Sequence, residues 1–341
     1  MLYFLINFTY NSNKMFFMFN IFFSTLISIS SNSWLGCWIG LEINLLSFIP
    51  LISNVNNLLS SEASLKYFLI QSISSINFLF IILMMMYSLK IYNMNNFIIL
   101  LNLTLLMKMG SVPFHFWFPN IIEGLSWMNC FIIMTWQKIV PMILLSYCFN
   151  FNFLIFIVIM NAMIGAIGGI NQTSIRKILS FSSINNLSWM IMSIMISENL
   201  WMIYFIIYSF ITFMLCFIFF IYNFFYLNQF FFFNLKMIIK LNLFINFLSL
   251  GGLPPFLGFF PKWMVINFLI NNNLMFINFI LIMMSLIMLF FYIRMTYSSL
   301  MMNYSKLKWL KMKNKQNYNF WMNFYLSFSL LGLPISTLFF F

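Results

Sequence analysis

Five ionisable side chains lie inside long apolar runs of this 341-residue chain: Glu42, Lys108, His115, Lys138 and Lys262. Only 6% of the residues are charged, so none of the five belongs to an ordinary solvated surface. On insertion-based scales a charge at the middle of a spanning helix costs roughly 2.5–3.5 kcal/mol. Glu42 and the three lysines together reach on the order of 10 kcal/mol, comparable to the stability of a whole domain. A chain keeps such groups when they face a wet, protein-lined interior and work there. Three amines and a carboxylate at membrane depth are the parts from which proton or ion movement is built.

Each residue has a plainer reading beside the chemical one. Glu42, in Trp38-Ile-Gly-Leu-Glu-Ile-Asn-Leu-Leu-Ser-Phe-Ile-Pro50, is either a protonated acid bonded between helices or a carboxylate paired with an amine. Pairing with Lys108 is preferred, because an unpaired buried charge is so unfavourable. Lys108 and Lys138 fall on neighbouring apolar runs, where a lysine can also snorkel to the headgroups. Lys138 is about a dozen residues into its run, roughly 18 Å from the end by helical rise, which makes snorkelling hard. An amine tuned towards neutrality accepts and releases protons, which is what a relay needs. A lone histidine is more often structural, but His115 lies between the two membrane lysines, where an imidazole suits a shuttle. Lys262 follows Pro261 and precedes Trp263. It reads equally as an interfacial lysine beside an aromatic belt and as a lysine held at depth by a stretched helix.

The elements that must carry these groups are membrane helices. The chain is 63% hydrophobic with a mean hydropathy of +0.99, enough for about ten or eleven spans of roughly 20 residues. Poverty in Ala and Val, with abundant Ile, Phe, Met and Asn, resembles the product of an AT-rich organellar genome. Apolar runs predict helices over 3–31, 34–53, 61–89, 96–118, 126–148, 151–171, 178–197, 199–227, 237–270, 274–296 and 321–341. The polar patch Asn11 to Lys14 moves the first start towards Met15. No small-residue cleavage site follows it, so this first helix is expected to stay uncleaved.

Charge tests the count. The net charge of +12 comes from 16 basic residues against four glutamates, and in a membrane chain it speaks of orientation before nucleic acid. With eleven spans, Lys14, Arg176, Lys177, Lys236, Lys240, Arg294, Lys306, Lys308, Lys311, Lys313 and Lys315 all fall on the N-terminal side. Lys90 alone falls opposite, and Lys66, one turn after Glu62, lies just inside a helix end. The positive face marks the compartment of synthesis, so the N-terminus is placed inside and the C-terminus outside.

Two segments interrupt the apolar pattern: Lys108-Met-Gly-Ser-Val-Pro-Phe-His115, continuing to Pro119, and Gly251-Gly-Leu-Pro-Pro-Phe-Leu-Gly258, continuing to Pro261. Proline removes a backbone donor and glycine weakens the ladder, so the fourth and ninth helices should be discontinuous. They are five helices apart, an odd number. The expected architecture is therefore an all-α polytopic membrane protein with two inverted five-helix repeats, 1–149 and 150–296. A Lys-rich loop over 297–320 and a C-terminal helix over 321–341 complete it. Matched broken helices in two halves are the best sequence pointer to a transport site.

Much else is excluded. Cys37, Cys130, Cys148 and Cys216 are isolated and read as small hydrophobes. One histidine without nearby Asp or Cys builds no metal site. Gly165, Gly168 and Gly169 lack dinucleotide-fingerprint spacing. No phosphate loop, catalytic triad or haem pair is present, so any redox cofactor must belong to a partner. Glu62, Glu123 and Glu198 sit near helix ends and read as interfacial or subunit contacts. The lysines of 306–315 with Trp309 make a candidate anionic-lipid site.

Several stretches carry a family resemblance. They are Leu41-Glu-Ile-Asn-Leu-Leu-Ser-Phe-Ile-Pro50, Glu62-Ala-Ser-Leu-Lys-Tyr-Phe-Leu-Ile-Gln71, Lys108-Met-Gly-Ser-Val-Pro-Phe-His-Phe-Trp117 and Thr135-Trp-Gln-Lys138. Asn171-Gln-Thr-Ser-Ile-Arg-Lys177, Ser182-Ser-Ile-Asn185, Gly252-Leu-Pro-Pro255 and Pro261-Lys-Trp263 follow in order. Together, over essentially the whole chain, the sequence resembles the chain 2 family of mitochondrial NADH-ubiquinone oxidoreductase (respiratory complex I), in an insect-like form. The resemblance implies an antiporter-like subunit with inverted five-helix repeats, shorter at its N-terminus than bacterial members. It implies that Glu42 and Lys108 form the coupling pair of the first half-channel, with Lys138 as central relay. His115 would link the lysines, and Lys262 would be the terminal lysine of the second half. It places NADH, flavin, iron–sulfur clusters and ubiquinone in partner subunits, none of them bound by this chain. The partners implied are other membrane-arm subunits, neighbouring antiporter-like subunits and phospholipids, cardiolipin among them. The membrane implied is the mitochondrial inner membrane, N-terminus in the matrix and C-terminus in the intermembrane space. Residues before Phe16 depart from the pattern.

Three functions compete. A proton-translocating subunit driven by quinone reduction elsewhere uses all five groups. A stand-alone cation/proton antiporter calls for membrane carboxylates around the cation, and here only Glu42 is available, with no Asp in the chain. A passive scaffold leaves four costly charges and two matched breaks without a purpose.

Overall fold

Inside lipid every backbone N–H and C=O must be satisfied within the protein, so the apolar runs can only be helices or a closed barrel. The computed structural model shows helices. It describes residues 12–54, 56–88, 94–229 and 237–301, with Ser327, Ser329, Leu330 and Pro334. The expected start of the first span at residues 3–11, Lys90, Lys236, the lysines of 306–315 and nearly all of the expected span 321–341 lie outside the described residues.

The helices are α1 (Ser12–Ser30), α2 (Trp34–Ile52), α3 (Leu58–Ser88), α4 (Met94–Met109), α5 (Trp117–Gly124), α6 (Trp127–Met134) and α7 (Trp136–Tyr147). They continue as α8 (Phe151–Ile170), α9 (Ile175–Ile196), α10 (Glu198–Tyr222), α11 (Met237–Gly251), α12 (Phe259–Asn271) and α13 (Met275–Met301). Among the described residues seven helical segments are long and apolar enough to cross a membrane, and α4 and α11 supply shorter apolar pieces. Phe19, Phe23, Leu26, Ile76, Phe279 and Phe290 stand exposed, as lipid-facing residues do.

The chain divides into two compact units, Met1–Ile157 and Val158–Phe341. In the first, Gly40 lets α2 lie against α1, since a Cβ there would come within 2.9 Å of the Ser28 backbone. In the second, Gly165 does the same for α8 against Asn185 of α9, whose Nδ2 donates to the Ala162 carbonyl at 3.3 Å. The connection after α8 runs beside the one after α10: Ile175 N–H donates to Phe225 O at 2.9 Å and Leu227 N–H to Thr173 O at 3.1 Å. Arg176 lies over the Phe225 ring there.

Both expected breaks are present, and they are built alike. Gly110 has φ of +73° and Gly252 +83°, a backbone region that L side chains rarely adopt. Ser111 N–H reaches Leu106 O at 3.1 Å and Gly110 N–H reaches Met107 O at 3.2 Å. Leu253 N–H reaches Leu248 O at 3.3 Å and Gly252 N–H reaches Ser249 O at 3.1 Å. Each half-helix thus ends in the same glycine cap, which satisfies two carbonyls of its last turns. One departure was not expected. The run 126–148 is one crossing made of two helices, kinked at Thr135 (φ −120°, ψ −74°). The Thr135 hydroxyl donates to Phe131 O at 2.7 Å, and Pro141 lacks the N–H that would bond Gln137 O while its ring crowds that carbonyl.

Candidate functional site

The first unit gathers four of the five residues. Glu42 is half-buried on α2, two residues after Gly40. Lys108 lies in the last turn of α4, 6% exposed, and its carbonyl accepts from Gln71 Nε2 of α3 at 3.2 Å. No ion pair within 4.0 Å joins Glu42 to Lys108. Lys138 is the third residue of α7 and is 1% exposed. Its Nζ lies 5.0 Å from the centre of the Phe118 ring. Phe118 in turn lies so close to Gly110 that a Cβ there would meet it at 2.9 Å. Lys138, Phe118 and the first break are therefore contiguous. His115 is buried in that break with its ring against Phe116.

An amide pair sets the spacing of these groups. Asn44 Nδ2 donates to Gln137 Oε1 at 2.8 Å and Gln137 Nε2 donates to Asn44 Oδ1 at 3.1 Å. The pair ties α2, two residues from Glu42, to α7, one residue from Lys138. Sequence reading passed over both amides.

The second unit holds Lys262, 6% exposed near the start of α12. The structure encloses its amine in protein. Its Nζ donates to Leu250 O at 3.2 Å and Gly251 O at 3.0 Å, the terminal carbonyls of α11. An ammonium at a helix C-terminus meets both the free acceptors and the negative end of the dipole. The Trp189 ring centre is 5.9 Å away. A small cavity beside it, with room for about one water molecule, is lined by Asn186, Tyr204, Tyr208, Ser249, Pro261 and Lys262. Tyr204 donates to Asn186 Oδ1 at 3.2 Å, Tyr208 faces Ser183 and Tyr292 faces Ser182. In the first unit Gln71 donates to the carbonyl of Lys108, and in the second Lys262 donates to that of Leu250, two residues before the capping glycine in each case.

Lys240, counted above among the cations of the N-terminal side, lies inside α11 and is buried. Among the described residues no group of three or more His, Cys, Asp or Glu gathers that could hold a metal ion. What the arrangement can do is hold, pass and reorient protons on amines enclosed by protein.

A fold of this kind, with lysines at capped helix breaks, defines a class: residues 31–288 match the family described as NADH:quinone oxidoreductase/Mrp antiporter, transmembrane. A chain of respiratory complex I from Thermus thermophilus superposes with a TM-score of 0.72 at 19% identity, over 83% of this chain and 69% of that one. NADH-ubiquinone oxidoreductase chain 2 of Anopheles gambiae is 51% identical over 88% of this chain and 90% of its own length. The Aedes aegypti chain 2 is 50% identical over 96% and 97%. The chain belongs to the NADH-ubiquinone oxidoreductase chain 2 family.

Proposed function

We propose that this chain is a proton-translocating membrane-arm subunit of NADH:ubiquinone oxidoreductase, driven by quinone reduction in other subunits. The observation that carries the reading is the enclosure of three lysines in protein, each beside a break in a membrane helix. Membrane helices retain such amines where protons or ions move. The names of its relatives agree with this role, and with a multi-pass location in the mitochondrial inner membrane.

In this reading Glu42 and Lys108 are the coupling pair. A change of charge at one is felt at the other through low-dielectric surroundings, even without direct contact. Lys138 passes the proton on, with His115 linking the two lysines at the first break. Lys262 is the terminal donor and acceptor, holding its proton against the α11 carbonyls until a change nearby releases it. NADH, flavin, iron–sulfur clusters and ubiquinone belong to other subunits, and this chain supplies the proton-moving groups. Its neighbours are other membrane-arm subunits, with cardiolipin or a similar anionic lipid at the 306–315 lysines. The two units are taken as inverted five-helix repeats, 1–149 and 150–296, with eleven spans in all. The N-terminus then lies in the matrix and the C-terminus in the intermembrane space, as the charge distribution favours. The alternative, a stand-alone antiporter, fits less well because a single membrane carboxylate is a poor cation cage.

Replacing Lys108 by Met in the assembled complex tests this reading. NADH-driven proton pumping should fall severalfold with assembly intact, and Glu42→Gln should fall with it. Wild-type pumping in both variants would remove the coupling pair.

A further inference from the structure

Helix α11 carries a polar stripe that the relay as described leaves unused. Asn242, Asn246 and Ser249 recur at i, i+4 and i+7 and so share one helix face. They are 1%, 0% and 1% exposed. Among the described residues, neither amide atom of Asn242 and neither of Asn246 has a hydrogen-bond partner. Buried amides are otherwise almost always bonded, and an apolar helix packs more cheaply with leucine at such positions. The stripe ends at Lys262. Ser249 donates to Asn246 O at 2.8 Å and lines the cavity beside Lys262, whose amine bonds the next two carbonyls, Leu250 and Gly251.

We propose that Asn242 and Asn246 bind a file of water molecules that joins Lys262 to the Met237 end of α11, a proton path along the lysine's own half-helix. The proposal rests on the relay reading of Lys262. An amide offers two donors and an acceptor, so it orients water without taking up the proton itself. From Asn242 to Ser249 the helix rises roughly 10 Å, a distance spanned by about four waters at hydrogen-bond spacing. In each hop one O–H bond forms as another breaks. The last transfer makes the Lys262 amine an ammonium, and release runs the same steps backwards.

The test uses the assembled oxidoreductase complex. Asn242→Leu and Asn246→Leu should each lower NADH-driven proton pumping severalfold. Asn246→Ser, which replaces the amide with a hydroxyl and leaves space for water, should keep most of it, a rescue that a purely structural role does not predict. Wild-type pumping in Asn246→Leu overturns the proposal. Should the leucine variants fail to assemble, an experimental density map of the unmodified complex decides. Ordered water on both amides supports the path, and amides packed dry overturn it. Normal pumping in Lys262→Met overturns it through the relay reading instead, so the two failures are told apart.

Discussion

The Asn44–Gln137 pair shows how a few polar contacts fix a site in surroundings that otherwise offer only shape. Each amide satisfies the other, so removing one strands its partner in an apolar medium, where an unpaired polar group costs about 1–3 kcal/mol. Asn44→Leu and Gln137→Leu should each destabilise the assembled subunit by about 1–2 kcal/mol. The double leucine variant, with neither amide left unpaired, should be no worse than either single one. Thermal melting of the purified complex checks this, and additive losses would argue that the two amides act separately. Turnover should fall in all three variants, because the pair holds α7 beside Glu42 and Gln137 adjoins Lys138.

At the scale of elements, the two breaks share a glycine cap, and the glycine is needed for different neighbours. A Cβ at Gly252 would meet Lys262 Cδ at 2.9 Å and Nζ at 3.0 Å, while at Gly251 it would find only ordinary contact with Leu289 at 3.5 Å. Gly252→Ala should therefore cost about 1–3 kcal/mol in backbone strain and displace the amine, lowering pumping. Gly251→Ala should leave pumping unchanged. Equal effects at both positions would detach the cap from function. Gly258→Ala is expected to prevent the break from closing, because its Cβ would run into the Ser249 carbonyl. The breaks were legible beforehand, since Gly110, Pro113, Gly252, Pro254 and Pro255 announce them in any helical pattern. The kink at Thr135 was not. Proline acts on the carbonyl four residues earlier, and Thr135 itself carries no breaking signal. Asn44, Asn242 and Asn246 were hidden by composition: in so Asn-rich a chain the residue also fills loops, and only burial separates one use from the other.

For the whole molecule, the central feature is that charge is spent inside. Three lysines and a glutamate cost on the order of 10 kcal/mol to place at membrane depth. Around these groups the fold sets glycine-capped breaks, terminal carbonyls and aromatic faces. In the proposed relay, protons on such groups would have to move from one to the next, so loss of one member should stall the others. The most direct measurement is the number of protons pumped per NADH oxidised by assembled complex carrying Lys138→Met. A lower ratio, or lost turnover with assembly intact, is the predicted result and sets Lys138 on the proton path. Unchanged turnover at an unchanged ratio would make Lys138 structural and contradict the relay.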